Sequence, residues 1–327
     1  MTPVRAATVA LTTAALLSPL LAAASANAAP DERAATVTAR AASIRSASPA
    51  PTRRNRLPSA AAPRRTDGKG RPVIFVHGFD READTNCAAA WRNARSVLKK
   101  HRWQARSYTF GYYGRARNCD MHARGTTDTR IQTAGAALAR RIYQHFTSKG
   151  TAVDIVAHSM GGLVAKAAIQ GTNKYGKQSR KWPSRLYIED IVTLGTPHWG
   201  IPLGELVDFC AITHEQCSDM RRDSGFLKWV GSRPQSQMGT DYTFMGSTGD
   251  DTVSERSATD DYRGPHWARY EETRGKEITH SGLRATGPKP IRLWNATWQN
   301  RDGKPHSGKV ESPLVHTLAA LYRHSRY

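Results

Sequence analysis

The chain is short of acids, cysteines and long apolar runs. Against 48 Lys+Arg it carries 27 Asp+Glu, a formal charge of +21 over 327 residues. Four Cys exclude a cysteine-dense miniprotein held by bridges alone. Past the N-terminal segment, no stretch approaches the roughly 18 apolar residues that suggest a membrane-spanning helix. No internal repeat, collagen-like period, zinc-finger motif or RNA-binding motif is present. At 39% hydrophobic residues, the chain is too apolar and too long to be disordered throughout. One domain of roughly 250 residues, or two smaller ones, is the expectation. The cationic excess points first to an anionic partner. With no nucleic-acid motif, an anionic membrane or cell-wall surface is the better candidate.

Residues 1–28 read as an address. Arg5 gives a weakly positive start, and Val9 to Ala24 is an Ala/Leu-rich run broken by Pro19. Ala26-Asn27-Ala28 supplies small residues for a signal peptidase, with cleavage after Ala28. The mature protein is therefore expected to be secreted, soluble and monomeric. Export makes the four Cys read as two disulfides. Local closure favours Cys87–Cys119 and Cys210–Cys217, with three connectivities open. Residues 29–71 are Ala, Pro, Ser, Thr and Arg, with a charge of +7, and read as a flexible basic leader. The remaining +13 is spread over residues 72–327.

From Pro72 the texture changes. Pro72 to Val76 and Val153 to Val156 are β-branched and apolar without alternation, as in strands buried on both faces. Ala105–Phe110, Ile188–Leu194 and Thr243–Met245 read as further strands. Thr85–His101, Thr126–Thr147, Gly161 to about Gly171 and Ser312–Arg323 read as helices. Alternation of this kind predicts an α/β domain with a mostly parallel sheet. Its site is expected at the carboxyl ends of the strands.

The polar motifs fall there. Val153-Asp154-Ile155-Val156-Ala157-His158-Ser159-Met160-Gly161-Gly162 is strand, sharp turn, helix. A serine on such a turn needs small residues two positions before and after it, here Ala157 and Gly161. The first is more often Gly, and Ala has nothing beyond Cβ.

With three further segments, the sequence resembles the α/β-hydrolase fold, specifically secreted bacterial lipases and esterases. They are Val73-Ile74-Phe75-Val76-His77-Gly78-Phe79, Leu194-Gly195-Thr196-Pro197-His198-Trp199-Gly200 and Gly249-Asp250-Asp251-Thr252-Val253-Ser254. The resemblance implies Ser159 as nucleophile and the backbone N–H groups of Phe79 and Met160 as the oxyanion hole. It implies an acid from Asp250 or Asp251. Asp250 is favoured because it places Val253 at +3 and Ser257 at +7. It implies a base after that acid. Ile278-Thr279-His280-Ser281-Gly282-Leu283 fits best. His266 is the runner-up, while His306, His316 and His324 are weaker. His77 and His158 read as structural.

The resemblance also implies a helical, lid-like insertion at about 198–240, where Trp199, Ile201, Leu203, Leu206, Val207, Phe209, Ile212, Phe226, Leu227, Trp229 and Val230 cluster; the alternative is an ordinary helical excursion that completes the core. His214, Glu215 and Asp219 form too loose a set for a metal. No metal and no organic cofactor is expected. The implied function is a lipase or esterase acting on a lipid or other ester. Two alternatives are a polyester depolymerase with the same triad and a non-catalytic cationic binding protein.

Overall fold

Every residue of Val73–Val76 is buried. In this computed structural model, Ile74 and Val76 enter one apolar cluster, and Val73 and Phe75 enter another. Both faces of the strand are covered, which is why its sequence does not alternate. The structure describes residues 61–205, 210, 213–272, 278–286 and 293–322. These fall in one compact unit, Leu57–Tyr327. The expected signal segment, leader residues 29–60, Leu206, Val207, Phe209, Ile212 and His324 lie outside the described residues.

The strands are β1 (Val73–Val76), β2 (Ser107–Tyr113), β3 (Met121–Gly125), β4 (Val153–His158), β5 (Ile188–Leu194), β6 (Asp241–Ser247), β7 (His266–Tyr270), β8 (Trp294–Gln299) and β9 (Pro305–Val310). They form one sheet in the order β3-β2-β1-β4-β5-β6-β7-β8-β9. From β3 to β7 the pairing is parallel, and β8 and β9 continue the sheet antiparallel. This is the expected α/β class.

Helices α1 (Cys87–Ala90) and α2 (Arg92–Lys100) follow β1, α3 (Ile131–His145) follows β3 and α4 (Met160–Tyr175) follows β4. The α3 stripe of Ile131, Ala134, Leu138 and Ile142 is buried against one face with α4. Val97 and Leu98 of α2 cover the other face with Leu314, Leu318 and Leu321 of the helix Pro313–Tyr322. Apolar faces of helices on both sides of a sheet are what its doubly buried strands require.

The described part of the expected insertion is largely core. Ile201, Met220, Phe226 and Val230 join the cluster that holds α3 and α4. Cys210 bridges to Cys217, at the helix Glu215–Met220. His214 Nδ1 lies 2.9 Å from Asp128. Asp219 accepts the Ile131 N–H and so caps α3.

At the amino end of the sheet, the basic leader turns out to be tied down from Arg65 onward. Arg71 Nε donates to Asp154 at 2.9 Å, and its Nη2 donates to Asp190 at 3.1 Å. Arg71 Nη1 lies 3.3 Å from Glu189, and Arg65 Nη2 lies 3.2 Å from Asp190. Composition missed this because charge pairing, not apolar burial, makes the anchor. Burial is the main cause that lifts the Asp154 carboxyl to about 7, against the pull of Arg71.

Candidate active site

Ser159 sits between the end of β4 and the start of α4 with φ 54° and ψ −134°. A non-glycine residue held there stores strain of roughly 1–3 kcal/mol. The surroundings hold it in place. Ser159 N–H donates to the Leu194 carbonyl at 2.9 Å, and the Thr196 hydroxyl donates to the Ser159 carbonyl at 2.8 Å. Ala157 is fully buried in register with Val76 and Thr193. A Cβ at Gly161 would lie 2.4 Å from the His77 carbonyl oxygen, so the helix start admits no side chain there. The small residues flanking the serine thus answer to β1 on one side and β5 on the other.

The β1 turn approaches the serine as closely. A Cβ at Gly78 would lie 2.7 Å from Ser159 Cβ. The Tyr112 hydroxyl reaches the carbonyl oxygens of His77 and Gly78, and His77 Nδ1 donates to Gly78 O at 2.8 Å. The chain has no cis peptide among its described residues. With the Gly78 carbonyl aimed at Tyr112, the Phe79 N–H of the same peptide points the opposite way. Met160 N–H is the first of α4, one of the amides a helix leaves without an intrahelical acceptor. Burial lowers His77 to about 4, so its ring is neutral and structural in character.

Beyond β6 the chain turns at Asp250. Its Oδ1 accepts the N–H groups of Thr252 and Val253, both at 2.9 Å. Its Oδ2 accepts His280 Nδ1–H at 2.8 Å, and the carboxylate is fully buried. In the neutral ring this leaves Nε2 as the basic nitrogen. Asp251 is exposed, with the Thr252 hydroxyl as its neighbour. Ser257 braces the loop after β5: its carbonyl accepts from His198 N–H, and its hydroxyl donates to Gly200 O. His158 Nε2 donates to the His280 carbonyl at 2.9 Å.

The structure therefore brings Ser159, Asp250 and His280 to the carboxyl ends of β4, β6 and the loop after β7. His266 does not join them. It opens β7, opposite Thr243 near the start of β6, with Nε2 3.4 Å from Asp241. His306 pairs with Asp302 on the surface. Burial lowers His316, within the helix Pro313–Tyr322, to about 4.

Ser159 and His280 line a cavity of about 910 Å³. Phe79, Asp251, Thr252 and Arg284 share its walls. None of the described residues of 198–240 does. The Cys87–Cys119 bridge ties α1 to the segment before β3 beside the wall residues Thr85 and Asn86. Sequence reading missed Thr196, Tyr112 and Arg284. Only Thr196 left a trace, inside the Leu194–Gly200 motif. Among the described residues no group of three or more His, Cys, Asp or Glu is placed to hold a metal ion.

Among solved structures, the chain is similar to Bacillus licheniformis lipase BlEst2 in its propeptide form, with 21% identity over 67% of this chain and 48% of that chain, TM-score 0.41. It is similar to Aspergillus fumigatus lipase B, with 16% identity over 66% and 49% of the two chains, TM-score 0.44. It is similar to the Pyrococcus furiosus esterase Pf2001, with 15% identity over 68% and 77%, TM-score 0.37. The chain thus spans about half the length of the first two. No curated protein matches it. A family profile, the PGAP1-like alpha/beta domain, matches residues 67–252, a span that holds Ser159 and Asp250 and stops before His280. With more than half of its length so matched, the chain belongs to the PGAP1-like alpha/beta domain family and has the α/β-hydrolase fold.

Proposed function

We propose that this protein is a serine carboxylic-ester hydrolase of lipase or esterase type. One observation carries the reading: a serine in a strained strand–helix turn shares a cavity with a histidine whose other nitrogen is bonded to a buried aspartate. In the proposed reaction His280 Nε2 takes the Ser159 hydroxyl proton as Oγ attacks the ester carbonyl. Asp250 keeps Nδ1 protonated and stabilises the ring cation. The Met160 and Phe79 amides receive the developing oxyanion. The His280 proton passes to the leaving alcohol, whose C–O bond breaks. Water then repeats the sequence on the acyl-enzyme and releases the acid.

Export belongs to the same proposal. Residues 1–28 act as a signal peptide, 29–71 as a basic leader and 72–327 as the catalytic domain. Two disulfides, and the lack among described residues of any helix long and apolar enough to cross a membrane, agree with an extracellular site of action. The net charge would draw the enzyme to anionic lipid or wall surfaces, an attraction that salt weakens. The test is labelling of the secreted protein by a fluorophosphonate probe. Wild type should be labelled on Ser159, and Ser159→Ala should not. Labelling retained in the variant would overturn the assignment.

A further inference from the structure

Several arginines in this fold keep carboxylate company, while the half-buried Arg185 lies against the Tyr143 and Tyr187 rings. Arg71 sits among Asp154, Glu189 and Asp190, Arg95 pairs with Asp120, and Arg130 pairs with Glu215 and Asp219. Arg284 is the contrast. It lies four residues past His280, on the short helix Gly282–Ala285, and is half-buried in the wall of the Ser159 cavity. Among the described residues no carboxylate pairs with it. Its one hydrogen bond runs from Nη1 to the Ala90 carbonyl at 2.9 Å. That bond engages Nη1, and no acceptor for the Nε–Nη2 edge is found among the described residues. Burial lowers its pKa with no acidic neighbour to offset the effect, whereas the pKa of Arg71 is raised.

The acids that share the cavity are engaged elsewhere. Asp80 accepts from the Thr85 hydroxyl and the Glu82 N–H. Asp84 lies 3.5 Å from Arg117, and Asp251 lies 3.2 Å from the Thr252 hydroxyl. His77 and His158 are both lowered chiefly by burial, and the charge of Arg284 adds to the effect on each. The wall beside the serine therefore offers a held guanidinium edge next to neutral rings. A planar fork of N–H donors matches a carboxylate or a phosphate. Withdrawing a guanidinium from water without a partner is unfavourable, and a bound anion would remove that cost.

We propose that Arg284 is a specificity-determining residue that binds an anionic group, carboxylate or phosphate, carried by the ester substrate of the Ser159 site. The proposal rests on the hydrolase reading above and names the substrate class within it. The anion sits on a part of the substrate other than the scissile carbonyl. The guanidinium holds it through the Nε–Nη2 edge while Nη1 stays on Ala90.

The test uses the secreted full chain and two matched pairs of esters. One pair is 4-nitrophenyl hexanoate and mono-4-nitrophenyl adipate, which adds a carboxylate on the acyl side. The other is monobutyrin and 1-butyryl-glycerol 3-phosphate, which adds a phosphate on the alcohol side. Wild type should favour the charged member of at least one pair by about tenfold or more in kcat/KM, and the pair that responds identifies the source of the anion. Arg284→Gln, which retains a donor for Ala90, should bring that ratio to about one, and Arg284→Lys should restore part of it. Stabilisation of the wild-type melting temperature by butyl phosphate should also disappear in Arg284→Gln. This readout needs no turnover. Equal rates within both pairs for wild type, or a Gln variant that slows both members alike, would overturn the proposal and leave Arg284 as a prop for Ala90. If Ser159→Ala keeps activity on all four esters, the hydrolase reading is what fails. Loss of butyl phosphate stabilisation in Arg284→Gln would still report the anion site.

Discussion

β4 carries near its start an aspartate bonded to Arg71 and leads directly into a serine held at φ 54°. β5 opens at Glu189 and Asp190, within reach of the same arginine, and ends at the carbonyl that fixes the serine N–H. At the amino end of the sheet, Asp154, Glu189, Asp190 and Asp241 face the guanidiniums of Arg65 and Arg71. At the carboxyl end, the backbone is strained, a carboxylate faces an imidazole, and Arg284 faces no carboxylate among the described residues. Charge at one end is spent on closing the fold. At the other it is left incompletely matched among the described residues, and in the proposed function that mismatch is what a ligand meets.

Substitutions at the two ends should separate activity from stability. The largest effect is expected from Ser159→Ala, with 4-nitrophenyl butyrate hydrolysis falling by about 10³-fold or more while the melting temperature holds. Asp250→Asn should follow, with kcat down by about 10²–10⁴-fold, whereas Asp251→Asn should stay within about threefold. If the two aspartates respond in reverse order, the role of the buried carboxylate is wrong. Arg71→Met should reverse the pattern. It leaves buried carboxylates uncompensated and should destabilise by about 3–5 kcal/mol in urea, with kcat per folded molecule unchanged.

The amino-end cluster should also report on pH. Its Asp154 carboxyl is raised to about 7, so the fold holds a proton that the unfolded chain releases near pH 4. Stability from this site is full below the lower value and is lost as pH rises through about 7. The melting temperature should therefore drop between about pH 5 and about pH 8. Asp190→Asn removes one carboxylate from the group facing Arg65 and Arg71, and should flatten that drop. A variant as steep as wild type would locate the proton elsewhere. The smallest effect is expected from His266→Ala, a loss of about 1 kcal/mol with esterase activity kept, because its ring serves Asp241 at the amino end.

Much of the scaffold was legible because burial on both faces writes itself into composition. The run at β1 is wholly apolar, β4 and β5 keep apolar stretches around Asp154, Glu189 and Asp190, and the α3 stripe repeats at helical spacing. β7 was missed, and so were β3, β8 and β9. The last three lie toward the sheet's edges, with His122 and Arg124 in one and Pro305-His306-Ser307 in another, and polar edge strands carry little period. Sequence left Asp250 and Asp251 adjacent and chemically alike. Only the turn after β6 decides which of them faces His280. His266 and His280 were separable only through the sheet's direction, which puts one at each end of the strands. Arg284 could not have been found, since the absence of a partner is a property of three dimensions.

The bond from His158 Nε2 to the His280 carbonyl has a mechanical consequence. The elbow and the base reach the cavity from parts of the chain more than a hundred residues apart, yet one ring hangs the second from the first. The bond ties the position of the His280 backbone to that of the elbow. In the proposed reaction, nucleophile and base are then placed by the same contact before a substrate enters.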